Sequence, residues 1–231
     1  MFILKVEICN MTIENDKFVY KLILANGSEI INPTIDGLSV EFKGSYGGIV
    51  EIHEGAIFYN TKIICGSMAH ICIKKTHDKG IKNTKIETAC SCRHKKLFID
   101  EGCSIESARF AIVNDDNLSV YIGKDCMLSS EIVFRSCDGH TIYSIDNNKV
   151  LNASKPIILG DHVWVGAKAT FLKGTVIPNN SIIGTGSIVS KEFTEQFTEQ
   201  FTAIAGIPAE VVKTGVNWDR DTIPAFLRKR T

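Results

Sequence analysis

No stretch of this chain approaches the ~20 consecutive apolar residues that a membrane-crossing helix needs. The apolar run at Met1-Phe-Ile-Leu-Lys5 is too short for a secretory leader, so we expect a cytoplasmic protein. Net charge is also lacking: 26 Lys and Arg balance 26 Asp and Glu. Without a global basic field, neither nucleic acid nor an anionic membrane is an expected partner. The local runs Arg93-His94-Lys95-Lys96 and Arg228-Lys229-Arg230 read as solvated surface. Cysteine is not scarce, with eight in 231 residues, but no leader directs the chain to an oxidising compartment, so free thiols are expected. Cys65, Cys72, Cys103 and Cys126 sit among aliphatic residues, where a thiol acts as a small hydrophobe. Cys90, Cys92 and His94 alternate as if sharing one face of a strand, but a second ligand pair is missing and no metal site is expected. At 44% hydrophobic the chain is too apolar for disorder.

What the chain has is a period of six. Leu159, Val165, Phe171, Ile177, Ile183 and Val189 recur without a slip. Small or turn-prone residues follow most of them (Gly160, Gly166, Pro178, Gly184, Ser190; Leu172 is the exception), and Val163, Ala169, Thr175, Ser181 and Ser187 fill the fourth position after. Six matches neither a helix nor an alternating strand. It matches a solenoid in which each hexad makes one flat face and three hexads close a coil.

The phase continues upstream through Ile122, Leu128 and Phe134, then fails between Phe134 and Leu159, which lie one residue more than four hexads apart. The polar segment from Asp138 to Pro156 is expected to be a loop extruded from the solenoid, and long loops in compact folds often carry function. Fragments of phase persist at Ile52, Phe58 and Ile64, and at Ile99 and Ile105. We therefore expect irregular β-coils over 1–115, with a separate small β domain over 1–45 as the alternative. Regular coils are expected over 116–206, carrying a catalytic loop at 138–156, and a helix or tail over 207–231. The tandem Phe193-Thr-Glu-Gln-Phe197-Thr-Glu-Gln-Phe201 reads as a surface turn, and Ala209 to Lys213 has the composition of a helix that would cap the open end.

His140 is the foremost candidate for chemistry: an imidazole beside Asp138 and Gly139 in the extruded loop, of a type that titrates near 6.5 and suits a general base. From position alone, an incidental loop histidine is the favoured reading.

The run Gly160-Asp-His-Val-Trp164-Val-Gly166, with Ile177-Pro-Asn-Asn, Ile183-Gly-Thr-Gly-Ser187 and Ala205-Gly-Ile-Pro-Ala209, resembles the hexapeptide-repeat acyltransferases. The similarity covers roughly 118–215 and is greatest to the capsular sialic-acid O-acetyltransferases and the galactoside and maltose acetyltransferases. It implies an all-β, left-handed parallel β-helix with an extruded loop and a short helical cap. It further implies acetyl-CoA as co-substrate and a homotrimer with sites between chains. The separation of 24 residues between His140 and Trp164 matches the family's spacing, which implies that His140 deprotonates a sugar hydroxyl for attack on the thioester.

The oxyanion would be met by a backbone N–H near Gly166 or Ala167, or by the Trp164 indole. Trp164 would wall the acetyl and pantetheine tunnel; the alternative for it is packing between subunits. Gly166, Ala167, Gly184 and Thr185 would let pantetheine approach closely along the solenoid edge. By the resemblance, Ser190 and Lys191 match a hydroxyl–lysine pair near the nucleotide, and Lys213 stands where relatives place a cation for the 3′-phosphate, whereas Glu210 replaces a basic residue. Arg135, Asp138 and Tyr143 are candidates for the acceptor, Arg135 because a guanidinium grips a carboxylated sugar bidentately.

The expected activity is O-acetylation of a bacterial surface sugar, with capsular polysaccharide and sialic acid foremost. Alternatives are N-acetylation of a nucleotide sugar or a non-catalytic glycan-binding solenoid. A zinc-dependent carbonic anhydrase on the same scaffold needs three histidines, and the regular half holds only His140 and His162.

Overall fold

The computed structural model describes residues 17–193 and 201–230. Strands wind into three sheets of eight, eight and seven strands. The chain visits the sheets in rotation: Ser119–Ile122 lies in the first, Met127–Leu128 in the second and Ile132–Arg135 in the third. The next coil repeats this with Ile157–Leu159, Trp164–Val165 and Thr170–Leu172. Each strand pairs in parallel with its counterpart one coil away, as Val120 does with Ile157 and Phe134 with Phe171. The result is a three-sided parallel β-helix.

The hexad has a direct physical origin. Leu159, Val165, Phe171, Ile177, Ile183 and Val189 all point inward and are no more than 1% exposed. The fourth-after residues Val163, Ala169, Thr175, Ser181 and Ser187 also turn inward, at the edges where sheets meet, and are fully buried. Only small side chains fit there, and the hydroxyls satisfy turn carbonyls three residues back: Thr175 Oγ1 donates to Leu172 at 2.8 Å, Ser181 Oγ to Pro178 at 2.8 Å and Ser187 Oγ to Gly184 at 2.7 Å. Without those acceptors each fully buried hydroxyl would cost about 1–3 kcal/mol.

Inside the third sheet Phe110, Phe134 and Phe171 stack with centroids 4.5 and 4.9 Å apart. At the edge between first and second sheets, Asp125, His162 and Asn180 occupy equivalent turn positions with φ of 52°, 54° and 58°. At the same edge a Cβ on Gly123 would fall 2.5 Å from the Gly160 carbonyl, so any other residue would force these coils to shift.

The coils with weak sequence phase use the same ladders. Val19–Ile23 pairs in parallel with Ile49–His53, and Leu38–Phe42 with Thr61–Cys65, continuing the first and third sheets. Cys65, Cys103 and Cys126 are buried in the core, as hydrophobic thiols should be; Cys72 is buried too, but its Sγ lies 3.4 Å from Glu51 Oε1 and outside that core.

Three expectations are corrected. Ala209–Thr214 is a strand, antiparallel to Thr202–Gly206, and the single described helix is Ile223–Arg228. The β-branched Val211, Val212 and Thr214 favour the extended chain that closes the second sheet's edge. Cys90, Cys92 and His94 do not share a strand face. They lie in an irregular segment where His94 has φ of 56° and Cys90 Sγ accepts hydrogen bonds from the backbone of Cys92 and Asn114. Lys95 is not solvated: it is fully buried, with Nζ bonded to the Cys92 carbonyl. Met1–Lys5 and most of the Phe193–Phe201 repeat lie outside the described residues.

Candidate functional site

The loop 136–156 leaves the third-sheet strand Ile132–Arg135 and returns to the first-sheet strand Ile157–Leu159, so it stands out from the edge between those sheets. Its regular pairing is one antiparallel bridge, Tyr143 to Val150. A polar clamp fixes the base. Lys173 Nζ donates to Asp138 Oδ2 at 2.5 Å and to the Asn152 carbonyl at 2.6 Å. Asn152 Nδ2 donates to Asp138 Oδ2 at 2.9 Å and to the His140 carbonyl at 2.8 Å. The Lys173 ammonium, then the Asn152 amide, hold the Asp138 carboxyl below its ordinary 3.8.

The His140 backbone is thereby anchored while its side chain is exposed, and among the described residues its ring makes no hydrogen bond. It borders a cleft of about 140 Å³ shared with Asn114, Asp115, Thr141, Asn152 and Ser154. An exposed imidazole over a cleft rich in amide, hydroxyl and carboxylate groups can take a proton from a bound hydroxyl.

Asp138 is committed to the clamp. Arg135 is committed too: Nε donates to the Cys137 carbonyl at 3.2 Å and Nη2 to that of Asp138 at 3.4 Å, which staples the loop's first turn. Tyr143 is 54% exposed farther out, among Ile142, Ile145, Val150 and Leu151, which are all more than half exposed.

Trp164 lies in the second sheet, 36% exposed, across the prism from the edge that bears His140. One chain therefore does not bring His140 and Trp164 together. Gly166, Ala167, Gly184 and Thr185 follow on the edge between second and third sheets, beside Trp164 in the chain. The two glycines have a packing cause: a Cβ on Gly166 would sit 2.7 Å from the Thr185 nitrogen, and one on Gly184 would sit 2.7 Å from Ala205 Cβ. Ser190 and Lys191 are exposed on the third–first edge, and Lys191 is paired with Glu210, the residue that replaces a cation. Lys213 is exposed on the closing strand and has no ion-pair partner among the described residues.

Sequence reasoning missed the clamp residues Asn152 and Lys173, and the tail that supports Trp164. Trp218, only 7% exposed, lies 6.4 Å from Trp164 and stacks at 4.2 Å on His162, whose carbonyl accepts its Nε1–H at 3.0 Å. Arg220 Nε bonds Asp125 at 3.1 Å, and its Nη atoms bond Ser104 Oγ at 2.8 Å and the Gly102 and Cys126 carbonyls at 3.2 and 3.1 Å. His162 Nδ1 meets the other Asp125 oxygen at 2.7 Å, which makes His162 a structural residue. A tryptophan in a polar tail was the one available signal for this strap.

No protein-family model matches the chain. It is 36% identical over 140 residues to the polysialic acid O-acetyltransferase of Escherichia coli O1:K1, covering 60% of this chain and 43% of that protein. Over 55 residues it is 47% identical to the polysialic acid O-acetyltransferase of Neisseria meningitidis, covering 24% of this chain and 26% of that one. The chain thus spans less than half the length of these two relatives. The crystal structure of the polySia-specific acetyltransferase NeuO superposes with a TM-score of 0.56 at 25% identity, covering 85% of this chain and all of that one. No described helix is long and apolar enough to cross a membrane. The chain is a left-handed parallel β-helix, related in sequence and fold to the polysialic acid O-acetyltransferases.

Proposed function

We propose that this protein is an acetyl-CoA-dependent O-acetyltransferase that esterifies a hydroxyl of a bacterial surface sugar, with a sialic-acid polymer the foremost acceptor. The observation that carries it is His140, held by its backbone with its ring unpartnered over a polar cleft, in a chain 36% identical to a polysialic acid O-acetyltransferase. His140 takes the proton of the acceptor hydroxyl as the oxygen attacks the thioester carbonyl. The imidazolium then returns that proton to the departing CoA sulfur, so the base is restored each turnover. An aligned base of this kind contributes roughly 10²- to 10⁴-fold.

The thioester would lie beside Trp164 and the Gly166–Ala167 turn, with Gly184 and Thr185 one coil away and Lys213 available for a phosphate. Lys191 serves only if Glu210 releases it, and Ser190 would accompany it. Because His140 and Trp164 sit on different sides of one prism, a complete site needs a second chain, and a homotrimer supplies it. The exposed loop residues support this: Ile145 is 89% exposed, which an isolated chain would not favour. The reading places the protein in the cytoplasm, where the free cysteines among the described residues stay reduced.

The test is CoA-thiol release from acetyl-CoA with polysialic acid and other oligosaccharides, for wild type and His140→Ala. An alkali-labile product made by wild type alone supports the reading. Full activity in the variant removes His140 as base, and an alkali-resistant product replaces ester with amide.

A further inference from the structure

Away from the loop, the outer face of the first sheet carries a cluster with no part in acetyl transfer. Val50 and Ile52 are fully buried inside the prism, so Glu51 and His53, which alternate with them, face outward. Cys72 is the register partner of Glu51 on the neighbouring strand His70–Ile73. Glu51 Oε1 lies 2.7 Å from His53 Nε2 and 3.4 Å from Cys72 Sγ, and the three donor atoms all lie within 4.8 Å of one another. Cys72 is 4% exposed and Glu51 9%.

We propose that Glu51, His53 and Cys72 form a zinc site that clips two successive coils together. A carboxylate, an imidazole and a thiolate are the donor set of a tetrahedral zinc with one position left for water. All three are strand-borne, which fixes their directions better than a loop would. Bonds of about 2.0–2.3 Å to a central ion require Oε1 and Nε2 to separate by roughly half an ångström, and the Cys72 thiol to release its proton to solvent.

The contacts of His53 hold a conflict that zinc would remove. His53 Nε2 also lies 2.8 Å from Lys74 Nζ. If Nε2 carries its proton toward Glu51, it cannot accept from Lys74; if its lone pair accepts from Lys74, Nε2 has no N–H to donate to Glu51 Oε1. A cation bonded to both Oε1 and Nε2 ends this competition and displaces the ammonium. Lys21 reinforces the geometry from behind, 3.5 Å from Glu51 Oε2 and 2.7 Å from Glu29, so that Oε1 remains turned toward His53 and Cys72.

The experiment strips the full-length protein with a chelator and titrates it with Zn²⁺, and separately with Co²⁺. Expected are one zinc per chain by elemental analysis and a near-ultraviolet thiolate–cobalt band. Both disappear in Cys72→Ser and in His53→Gln, and both persist in the double variant Cys90→Ser/Cys92→Ser and in His140→Ala. No cobalt band in wild type, or a band that survives Cys72→Ser, overturns the proposal. Should Cys72→Ser not fold, His53→Gln decides, since its side chain is 22% exposed; zinc retained at full stoichiometry there also overturns it. A higher melting temperature with zinc in wild type alone would identify the clip as structural.

Discussion

The coil that runs from Ile157 to Leu172 and the loop 136–156 that precedes it are neighbours in sequence built on opposite rules. In the coil, Leu159, Val163, Val165, Ala169 and Phe171 are completely buried, and size at each position is dictated by the coil above and below. In the loop, almost every residue beyond Cys137 is exposed or half-exposed, and shape comes from a handful of polar bonds centred on Asp138, Asn152 and Lys173. Stability resides in the coil, and the proposed function puts the chemistry in the loop, so substitutions in the two should fail in different ways.

The sharpest separation is His140→Ala. Acetyl transfer should fall by roughly 10²- to 10⁴-fold while the melting temperature stays put; a variant that loses stability instead would make His140 part of the scaffold. Phe134→Ala should do the reverse. Removing the middle ring of the Phe110–Phe134–Phe171 stack should cost about 3–5 kcal/mol in chemical denaturation. Gly123→Ala, whose Cβ meets backbone, should cost about 1–3 kcal/mol. Gly186→Ala meets nothing within 4 Å and should cost only the left-handed backbone penalty of about 1 kcal/mol.

Lys173→Met crosses the boundary, because a coil residue there holds the loop. It should lower kcat/KM about tenfold, equivalent to roughly 1.4 kcal/mol, and speed amide exchange across 138–152 without unfolding the coils. The smallest effect is on pH. The folded-state value of Asp138 is depressed, so the clamp contributes fully above the unfolded value of 3.8 and is lost as pH falls through the lower folded value. Proteolytic nicking of the loop should rise over that acidic window and not near neutrality.

The hexads were legible because one geometric constraint, two inward positions per flat face, repeats without interruption from Leu159 to Val189. Upstream the faces are the same, but turns of varied length, such as Lys74–Gly80 between the first and second sheets, break the count and leave only fragments of phase. His140 was visible through its place in an out-of-phase segment. Its clamp was not, since Lys173 lies 35 residues from Asp138 and looks like any lysine in a turn. The closing strand at Ala209–Thr214 is not legible in so short a segment, where the sheet edge and the β-branched Val211, Val212 and Thr214 together decide for the extended chain.

The tail that carries Trp218 and Arg220 has a consequence for how the molecule assembles. A stack of coils held only by nearest neighbours can peel from either end, one layer at a time. Arg220 bridges back over 94–118 residues to Gly102, Ser104, Asp125 and Cys126. Those partners lie level with one another only once the layers between are in place. The tail therefore acts as a latch that shuts last, rewards completed winding, and makes loss of the final layers cooperative with loss of the middle.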